Sequence, residues 1–278
     1  MTKWRSMRKH ETAKIEKLLQ SYENLCVNIC NRYINQKYYN SKIWTLHDTN
    51  KEISALVLYS NQNLMPLLCG QIKIPPLKFL FKIFSSTPIH SLQGIREDII
   101  AIEALLEKQG INATEKIDYD LMCIDSLPSG YNSAGPRGLI IREVKLSDID
   151  DLAALHAAYE QEEVLPSAKE FNPVLSRLNT ERILNNEQVF LAELDGRIIG
   201  KINTNACSFT RFQIGGVYVH PDYRGLGIAQ RMAGEFATFL IRQGRFVSLY
   251  VKKTNPAALH VYRNIGFEIK GDYRICYY

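Results

Sequence analysis

The segment from Gln213 to Ala229 constrains the fold more than any other, because it runs from a strand through a sharp turn into the start of a helix. Its strand ends in Val217-Tyr218-Val219, which are β-branched or aromatic residues. Pro221 breaks the strand, and Gly225 and Gly227 then precede an apolar helical stretch. The segment therefore predicts a strand, a glycine-containing loop and a helix in direct succession.

Such a loop favours an anion. Glycine lets the main chain approach a ligand closely, and the N–H groups at the start of a helix have no partner within the helix. The positive end of the helix dipole adds attraction for a phosphate. The pattern predicts a diphosphate site, although two glycines alone are equally compatible with an ordinary turn between a strand and a helix.

The residues around the glycines decide between these alternatives. Arg224-Gly225-Leu226-Gly227-Ile228-Ala229 matches the Arg/Gln-x-x-Gly-x-Gly/Ala signature of the GNAT superfamily of N-acetyltransferases, which use acyl-CoA. The preceding Val217-Tyr-Val-His-Pro-Asp-Tyr223 is also similar to that family. Further on, the segment Asn255 to Phe267 resembles the family's Asn-x-x-Ala-x-x-x-Tyr-x-x-x-Gly-Phe ending. The resemblance covers residues 138–278.

The resemblance implies a mixed α/β fold with a central, mostly antiparallel, splayed sheet flanked by helices. It also implies acetyl transfer from acetyl-CoA to the primary amine of an unidentified small molecule, amino acid or peptide. The main chain of Val217, Tyr218 and Val219 would pair with the pantetheine arm, which Asn255 would also contact. The diphosphate would bind at Arg224, Gly225, Leu226, Gly227, Ile228, Ala229 and Gln230.

The same resemblance places Tyr262 as the general acid that protonates the departing thiolate of coenzyme A. The alternative is a helix tyrosine that packs on the sheet. A general base is harder to assign, because the family often has a glutamate on the strand before Asn255, where this chain has Tyr250. Proton transfer through ordered water to another residue is the remaining route.

The length of 278 residues is sufficient for two modest domains. We predict an N-terminal α/β domain over residues 1–125, a linker rich in Gly, Ser and Pro over 126–138, and a catalytic domain over 139–278. In the first half, a helix over 10–38, a meander of three strands, a helix after Gly94 and a last strand resemble the central part of a GNAT fold, with Gly94 where the phosphate loop would lie.

The loop signature is missing at Gly94, so the first half is predicted to be a degenerate, non-catalytic GNAT-like unit or an unrelated α+β substrate domain. The aromatic segment 74–84 is compatible with core packing or with a substrate-contacting surface. In the second half, His156 lies on the apolar side of a helix and is expected to pack. Glu160, Glu162 and Glu163 are compatible with an amine-acceptor site or with a solvated acidic surface.

Composition excludes several classes. The net charge is +5, but lysine and arginine are scattered among acidic residues, which argues against a nucleic-acid groove. No apolar run approaches the ~20 residues that span a bilayer, and the six cysteines lack zinc spacing. We therefore predict a cytoplasmic monomer or homodimer with acetyl-CoA and an amine as partners, and without a metal, a membrane or a nucleic acid.

Two function classes remain open at this point. One is an active acetyl-CoA-dependent N-acetyltransferase, and the other is a non-catalytic acyl-CoA-binding sensor or interaction protein on the same scaffold. The presence of both Tyr262 and Asn255 favours the enzyme.

Overall fold

The structure is a computed structural model that describes residues 3–35, 41–70, 80, 89–127, 135–165 and 170–278. Within these ranges, the first half of the chain forms six strands and three α-helices. The strands are β1 (Arg5–Ser6), β2 (Lys42–His47), β3 (Ile53–Ser60), β4 (Asn63–Leu67), β5 (Ser91–Ile95) and β6 (Glu115–Ile124). The helices are α1 (Thr12–Ser21), α2 (Val27–Ile34) and α3 (Arg96–Glu107).

The second half forms six more strands. They are β7 (Ile140–Glu143), β8 (Val189–Leu194), β9 (Arg197–Cys207), β10 (Arg211–Val219), β11 (Phe246–Lys252) and β12 (Glu268–Tyr277). The α-helices are α4 (Ile149–Tyr159), α5 (Pro173–Asn186), α6 (Ile228–Arg242) and α7 (Pro256–Ile265). A π-helical segment, Glu160–Val164, continues directly from α4.

All twelve strands belong to one sheet, in the order β1-β2-β3-β4-β5-β12-β6-β11-β10-β9-β8-β7. Counted inward from either edge of the sheet, the first four strands pair antiparallel with one another, and the fifth strand pairs in parallel with the fourth. The sixth strand in each direction is the last strand of the other half of the chain. The two halves therefore repeat one topology around a pseudo-twofold axis between β12 and β6.

Exchange of the last strands joins the halves. Strand β6 lies between β11 and β12, and β12 lies between β5 and β6. The largest buried apolar cluster accordingly contains Met122 and Ile124 from β6 beside residues of α6. Arg274 on β12 donates hydrogen bonds to Asp118 on β6, at 2.7 and 2.9 Å, and to Glu103 on α3, at 3.0 Å. Neither half completes its part of the sheet alone.

The predicted mixed α/β class and splayed GNAT sheet are confirmed, and the helix predicted after Gly227 runs from Ile228 to Arg242. The single helix predicted over residues 10–38 is wrong, because the chain turns between α1 and α2 and residues 36–40 lie outside the described part. The apolar periodicity continued across the break because both helices pack into the same buried cluster.

The phosphate-loop position predicted at Gly94 is also wrong. Gly94 lies inside β5, opposite Arg274, and a Cβ atom there would come within 3.1 Å of the Pro66 carbonyl oxygen. The glycine allows close packing of strands, and by the symmetry of the sheet the equivalent loop would follow β4 instead. The aromatic segment 74–84 lies outside the described residues except for Leu80, which is buried.

Candidate active site

A cleft opens where β10 and β11 separate. The two strands pair in parallel over only three positions, Arg211 with Phe246, Phe212 with Val247 and Gln213 with Ser248. Beyond these pairs the strands diverge, and a cavity of about 320 Å³ lies between them. The sheet therefore exposes main-chain groups of β10 to a space large enough for the end of a ligand.

A bulge shapes the β10 wall of this cleft. The register between β10 and β9 shifts between Gly215 and Tyr218, and Gly216 has a φ of +58°. A Cβ atom at Gly216 would overlap the side-chain oxygen of Asn203, and one at Gly215 would approach the Asn205 amide nitrogen to 2.6 Å. The left-handed φ and the close contact therefore favour glycine at Gly216, whereas a side chain at Gly215 would displace the exposed Asn205 side chain.

Lys201 on β9 supports the bulge from behind. Its side chain is fully buried, and its Nζ donates hydrogen bonds to the Gly216 carbonyl oxygen at 2.9 Å and to Asn203 Oδ1 at 3.3 Å. The same nitrogen lies 4.4 Å from the centroid of the Tyr159 ring. Burial disfavours the charged form and lowers the pKa of Lys201 to about 7.

The glycine loop follows β10 as predicted. Gly225 and Gly227 have φ values of +80° and +76°, and Gly227 is the N-cap of α6. The first hydrogen bond of the helix runs from Arg231 N to Gly227 O at 3.0 Å, so earlier N–H groups have no acceptor within the helix. This geometry suits an anion at the helix start.

The Arg224 side chain makes hydrogen bonds within the protein. Its guanidinium donates to both carboxylate oxygens of Glu162, at 2.7 and 2.8 Å, and to the Val219 carbonyl oxygen at 3.0 Å. The side chain therefore ties the loop to the π-helical segment and to the end of β10. Its predicted contact with the cofactor stays a prediction.

The structure brings three of the predicted residues together in the cleft lining: Val217, Asn255 and Tyr262. Tyr218 and Val219 are buried beside it, and residues 224–230 lie beyond the carboxyl end of β10, outside the lining of this cavity. Asn255 caps α7, with its Oδ1 accepting from Ala258 N at 3.0 Å. Burial raises the pKa of Tyr262, so its hydroxyl stays protonated at neutral pH.

The opposite wall was missed by the sequence analysis. Ile117 and Tyr119 from β6 and Ile275 and Tyr277 from β12 line the same cleft. These residues reach the site only through the exchange of the last strands, for which no local sequence signal exists. The first half of the chain thus contributes directly to the candidate site.

A second cavity, of about 240 Å³, adjoins the cleft at Gly216. His156, Glu160 and Glu187 are among its lining residues. His156 is buried as expected, but it faces this cavity rather than a closed core. Burial, with a smaller contribution from the charge of Lys201, lowers the pKa of His156 to about 4, so the ring is neutral at pH 7.

The corresponding region of the first half is built differently. Strands β4 and β5 also pair in parallel and then separate, but Asp98 Oδ2 accepts a hydrogen bond from Leu68 N at 2.7 Å at that point. Ile102 lies as far beyond the N-cap of α3 as Tyr262 does beyond the N-cap of α7, and it is fully buried. This half therefore has an aliphatic side chain where the second half has a hydroxyl.

The described ranges also lack two kinds of feature. No group of three or more His, Cys, Asp or Glu side chains there is arranged to hold a metal ion. None of the helices in those ranges is both long and apolar enough to cross a membrane.

Comparison with known proteins supports the sequence resemblance. The family model described as the acetyltransferase (GNAT) family matches residues 151–267. A curated acetyltransferase from Pectobacterium atrosepticum is 28% identical over 131 residues, which are 45% of this chain and 87% of that protein. A curated acetyltransferase from Sodalis glossinidius is 32% identical over 98 residues, which are 34% of this chain and 67% of that protein.

A similar solved structure extends the likeness to the whole chain. A tandem GNAT protein from the clavulanic acid biosynthesis pathway, solved without acetyl-CoA, has a TM-score of 0.58 at 13% identity. The match covers 99% of this chain and 98% of that one. At this level of identity, the likeness concerns the fold, including the part formed by the first half.

Proposed function

Because this chain belongs to the GNAT family of acetyltransferases, we propose that it transfers an acetyl group from acetyl-CoA to a primary amine. The amine would belong to a small molecule, an amino acid or a peptide. The observation that carries this proposal is the cleft between β10 and β11, which holds Tyr262 and Asn255 and lies at the end of a strand that leads into the glycine loop.

Acetyl-CoA would bind along β10. Its diphosphate would accept hydrogen bonds from main-chain N–H groups of the loop and of the start of α6, from Gly225 to Gln230. The pantetheine arm would pair with the main chain of Val217 to Val219 and bring the thioester into the cleft beside Tyr262. This arrangement uses the separation of β10 from β11 beyond Gln213, which leaves main-chain groups of β10 without a strand partner on the side of the cleft.

In the reaction, the neutral amine attacks the thioester carbonyl carbon and forms the C–N bond. The C–S bond then breaks, and the thiolate takes the proton of the Tyr262 hydroxyl. The Tyr262 hydroxyl carries its proton at neutral pH, as a general acid must, and it lines the cleft into which the thioester would extend. The proton lost by the amine would pass to water, from which the Tyr262 phenolate would regain its proton, and no side chain is assigned as the base.

The first half, in this proposal, forms a wall of the cleft and binds no second CoA. Where β4 and β5 separate, the Leu68 N–H already donates to the Asp98 carboxylate, and Ile102 stands at the position that corresponds to Tyr262. The tandem GNAT fold of the similar structure supports two related halves. The boundaries at residues 125 and 139, a cytoplasmic location and a monomeric or homodimeric state remain predictions.

The proposed acetyl transfer is tested by measuring turnover of acetyl-CoA. Purified protein is incubated with acetyl-CoA and a panel of amines, amino acids and short peptides, and free thiol and acetylated product are measured. We expect one free CoA for each N-acetyl product formed. Calorimetry that shows CoA binding without acetylation of any amine would instead establish the acyl-CoA-binding sensor.

A further inference from the structure

Three cavities follow one another around the π-helical segment Glu160–Val164. The second, of about 240 Å³, shares Tyr159, Val164, Asn205 and Gly216 with the reaction cleft. The third, of about 260 Å³, shares Glu160, Val164 and Asn179 with the second. Shared lining residues thus connect the cleft to a space lined by α5 and by Tyr277.

Glu160 is the residue that distinguishes these spaces. Its carboxylate belongs to the second and third cavities and not to the reaction cleft. It accepts a hydrogen bond from Asn179 Nδ2 at 3.0 Å and lies 3.2 Å from His156 Nε2. π-Helical turns within α-helices are frequent at functional sites, and Glu160 is the first residue of this one.

Three neighbouring acidic side chains are already paired with a cation, whereas Glu170, which lines the third cavity, is exposed to solvent. Glu162 pairs with Arg224, Glu163 with Lys252, and Glu187 with Arg182. For Glu160, the only ion-pair partner among the described residues is His156, which is neutral at pH 7. In the second cavity, the Glu160 carboxylate therefore has no lysine or arginine within ion-pair distance.

His156 gives an independent indication of a ligand. The residue is only 6% exposed and lines the second cavity, and its Nδ1 has no hydrogen-bond partner within the described ranges. An unpaired buried polar atom costs free energy, so such atoms in native proteins are usually satisfied by a ligand or by water. A neutral imidazole nitrogen accepts a hydrogen bond, which an ammonium group can donate.

We infer that the acceptor is a dication, an aliphatic diamine or polyamine, whose second ammonium group binds in the second cavity to the Glu160 carboxylate and to His156 Nδ1 while its first amine reaches the thioester. The inference rests on the proposed function. A carboxylate next to an amine stabilises the charged form, whereas the attacking amine must be neutral. The group at Glu160 is therefore the one that does not react, and a separate amine occupies the cleft.

The space between the Glu160 site and the reaction cleft is largely lined by apolar surface. Tyr159, Val164 and Gly216 are common to the cleft and the second cavity, and they offer ring, methyl and main-chain surface to a methylene chain. A monoamine of equal length would fill the same space but leave Glu160 and His156 without a ligand.

Matched acceptors test the inference. The substrates are 1,4-diaminobutane and 1,5-diaminopentane, compared with n-butylamine and 4-aminobutanoate. We expect a higher kcat/KM for the diamines than for either comparison compound. Glu160→Gln should lower kcat/KM for the diamines about 10- to 100-fold, the range for a charged hydrogen bond, and leave n-butylamine unchanged. Glu181→Gln, the same change on an exposed side of α5, should alter neither.

Binding separates the inference from the proposed function. Calorimetry measures 1,4-diaminobutane added to the CoA-saturated wild type and to Glu160→Gln. Diamine binding that depends on Glu160 without any transfer would support this site and refute the acetyltransferase activity. Transfer to n-butylamine at least as fast as to the diamines, equal losses for both substrates in Glu160→Gln, or no diamine binding would overturn the inference.

Discussion

Tyr262 and Lys201 show how burial controls chemistry at the scale of single residues. Loss of water disfavours the charged form of each group, which raises the pKa of the tyrosine and lowers that of the lysine to about 7. The hydroxyl in the cleft therefore retains its proton, and the amine behind the bulge loses part of its charge at neutral pH. Lys201 accordingly acts as a hydrogen-bond donor to the Gly216 carbonyl oxygen and to Asn203.

Replacement of Tyr262 by phenylalanine tests its role as the acid. The ring and its contact with Phe267 remain, and only the proton donor is lost. We expect kcat to fall about 100-fold, with little change in CoA affinity or thermal stability. Tyr33→Phe, which removes a buried hydroxyl far from the cleft, serves as the control. Loss of CoA binding, or an unchanged kcat when chemistry is rate-limiting, would assign Tyr262 to packing.

Lys201→Met is expected to change how stability depends on pH. The folded pKa is about 7 and the unfolded value is 10.5, so between these values the unfolded chain binds more protons. The free energy of unfolding contributed by this group therefore rises with pH across that window, by at most about 1.4 kcal/mol per pH unit. Below pH 7 the full cost of burying the charge is present.

Urea unfolding of the wild type and Lys201→Met between pH 6.5 and 9.5 measures this effect. The difference in stability, wild type minus variant, should increase over the range. Parallel curves would show that Lys201 is not a buried titrating group. Activity should also fall in the variant, because the Gly216 carbonyl loses its donor.

At the scale of elements, the loop and helix α6 form a unit that local sequence specifies. Gly227 starts the helix with a φ of +76°, and Gly244 follows its end with a φ of +73°. Both are left-handed positions that favour glycine. Only the first lies at a helix start, where the N–H groups of the first turn have no acceptor within the helix and the dipole is positive.

The two glycines offer a matched pair of variants. Gly227→Glu should abolish CoA binding in calorimetry, because it adds bulk and negative charge at the diphosphate position. Gly244→Glu introduces the same side chain at a similar φ and should retain binding, with a comparable loss of stability. Equal affinities in the two variants would refute the assignment of the loop.

At the scale of the whole molecule, strand exchange makes the halves interdependent. Strand β12 pairs with β6 from Glu268 to Tyr277 and with β5 on its other side. Residues 139–278 alone would lose both neighbours of β12 and one neighbour of β11. The cleft would also lose the wall that β6 supplies.

Fragments test this interdependence. Residues 1–127 and 135–278, expressed together as separate chains, should associate and bind CoA with a stoichiometry near one per pair. Each fragment alone should be insoluble or oligomeric, because its strand edges are unpaired. A monomeric fragment 135–278 that binds CoA as well as the full chain would refute the structural dependence on the first half.

The sequence by itself determined the elements whose conformation depends on neighbours along the chain. The glycine loop, α6 and the cap at Asn255 are of this kind, because φ preferences, capping and periodicity act over a few residues. The resemblance of short motifs to the GNAT family pointed to Tyr262 and to a fold that the structure confirms.

Only the tertiary structure decided which strands exchange, and so which residues of the first half line the cleft. It also decided that Gly94 packs within a strand, that the predicted first helix is two helices, and that Glu160 faces a cavity beside a neutral His156. Ladder partners, burial and the pKa shifts that follow from burial depend on residues far apart in the chain. No short-range pattern encodes them.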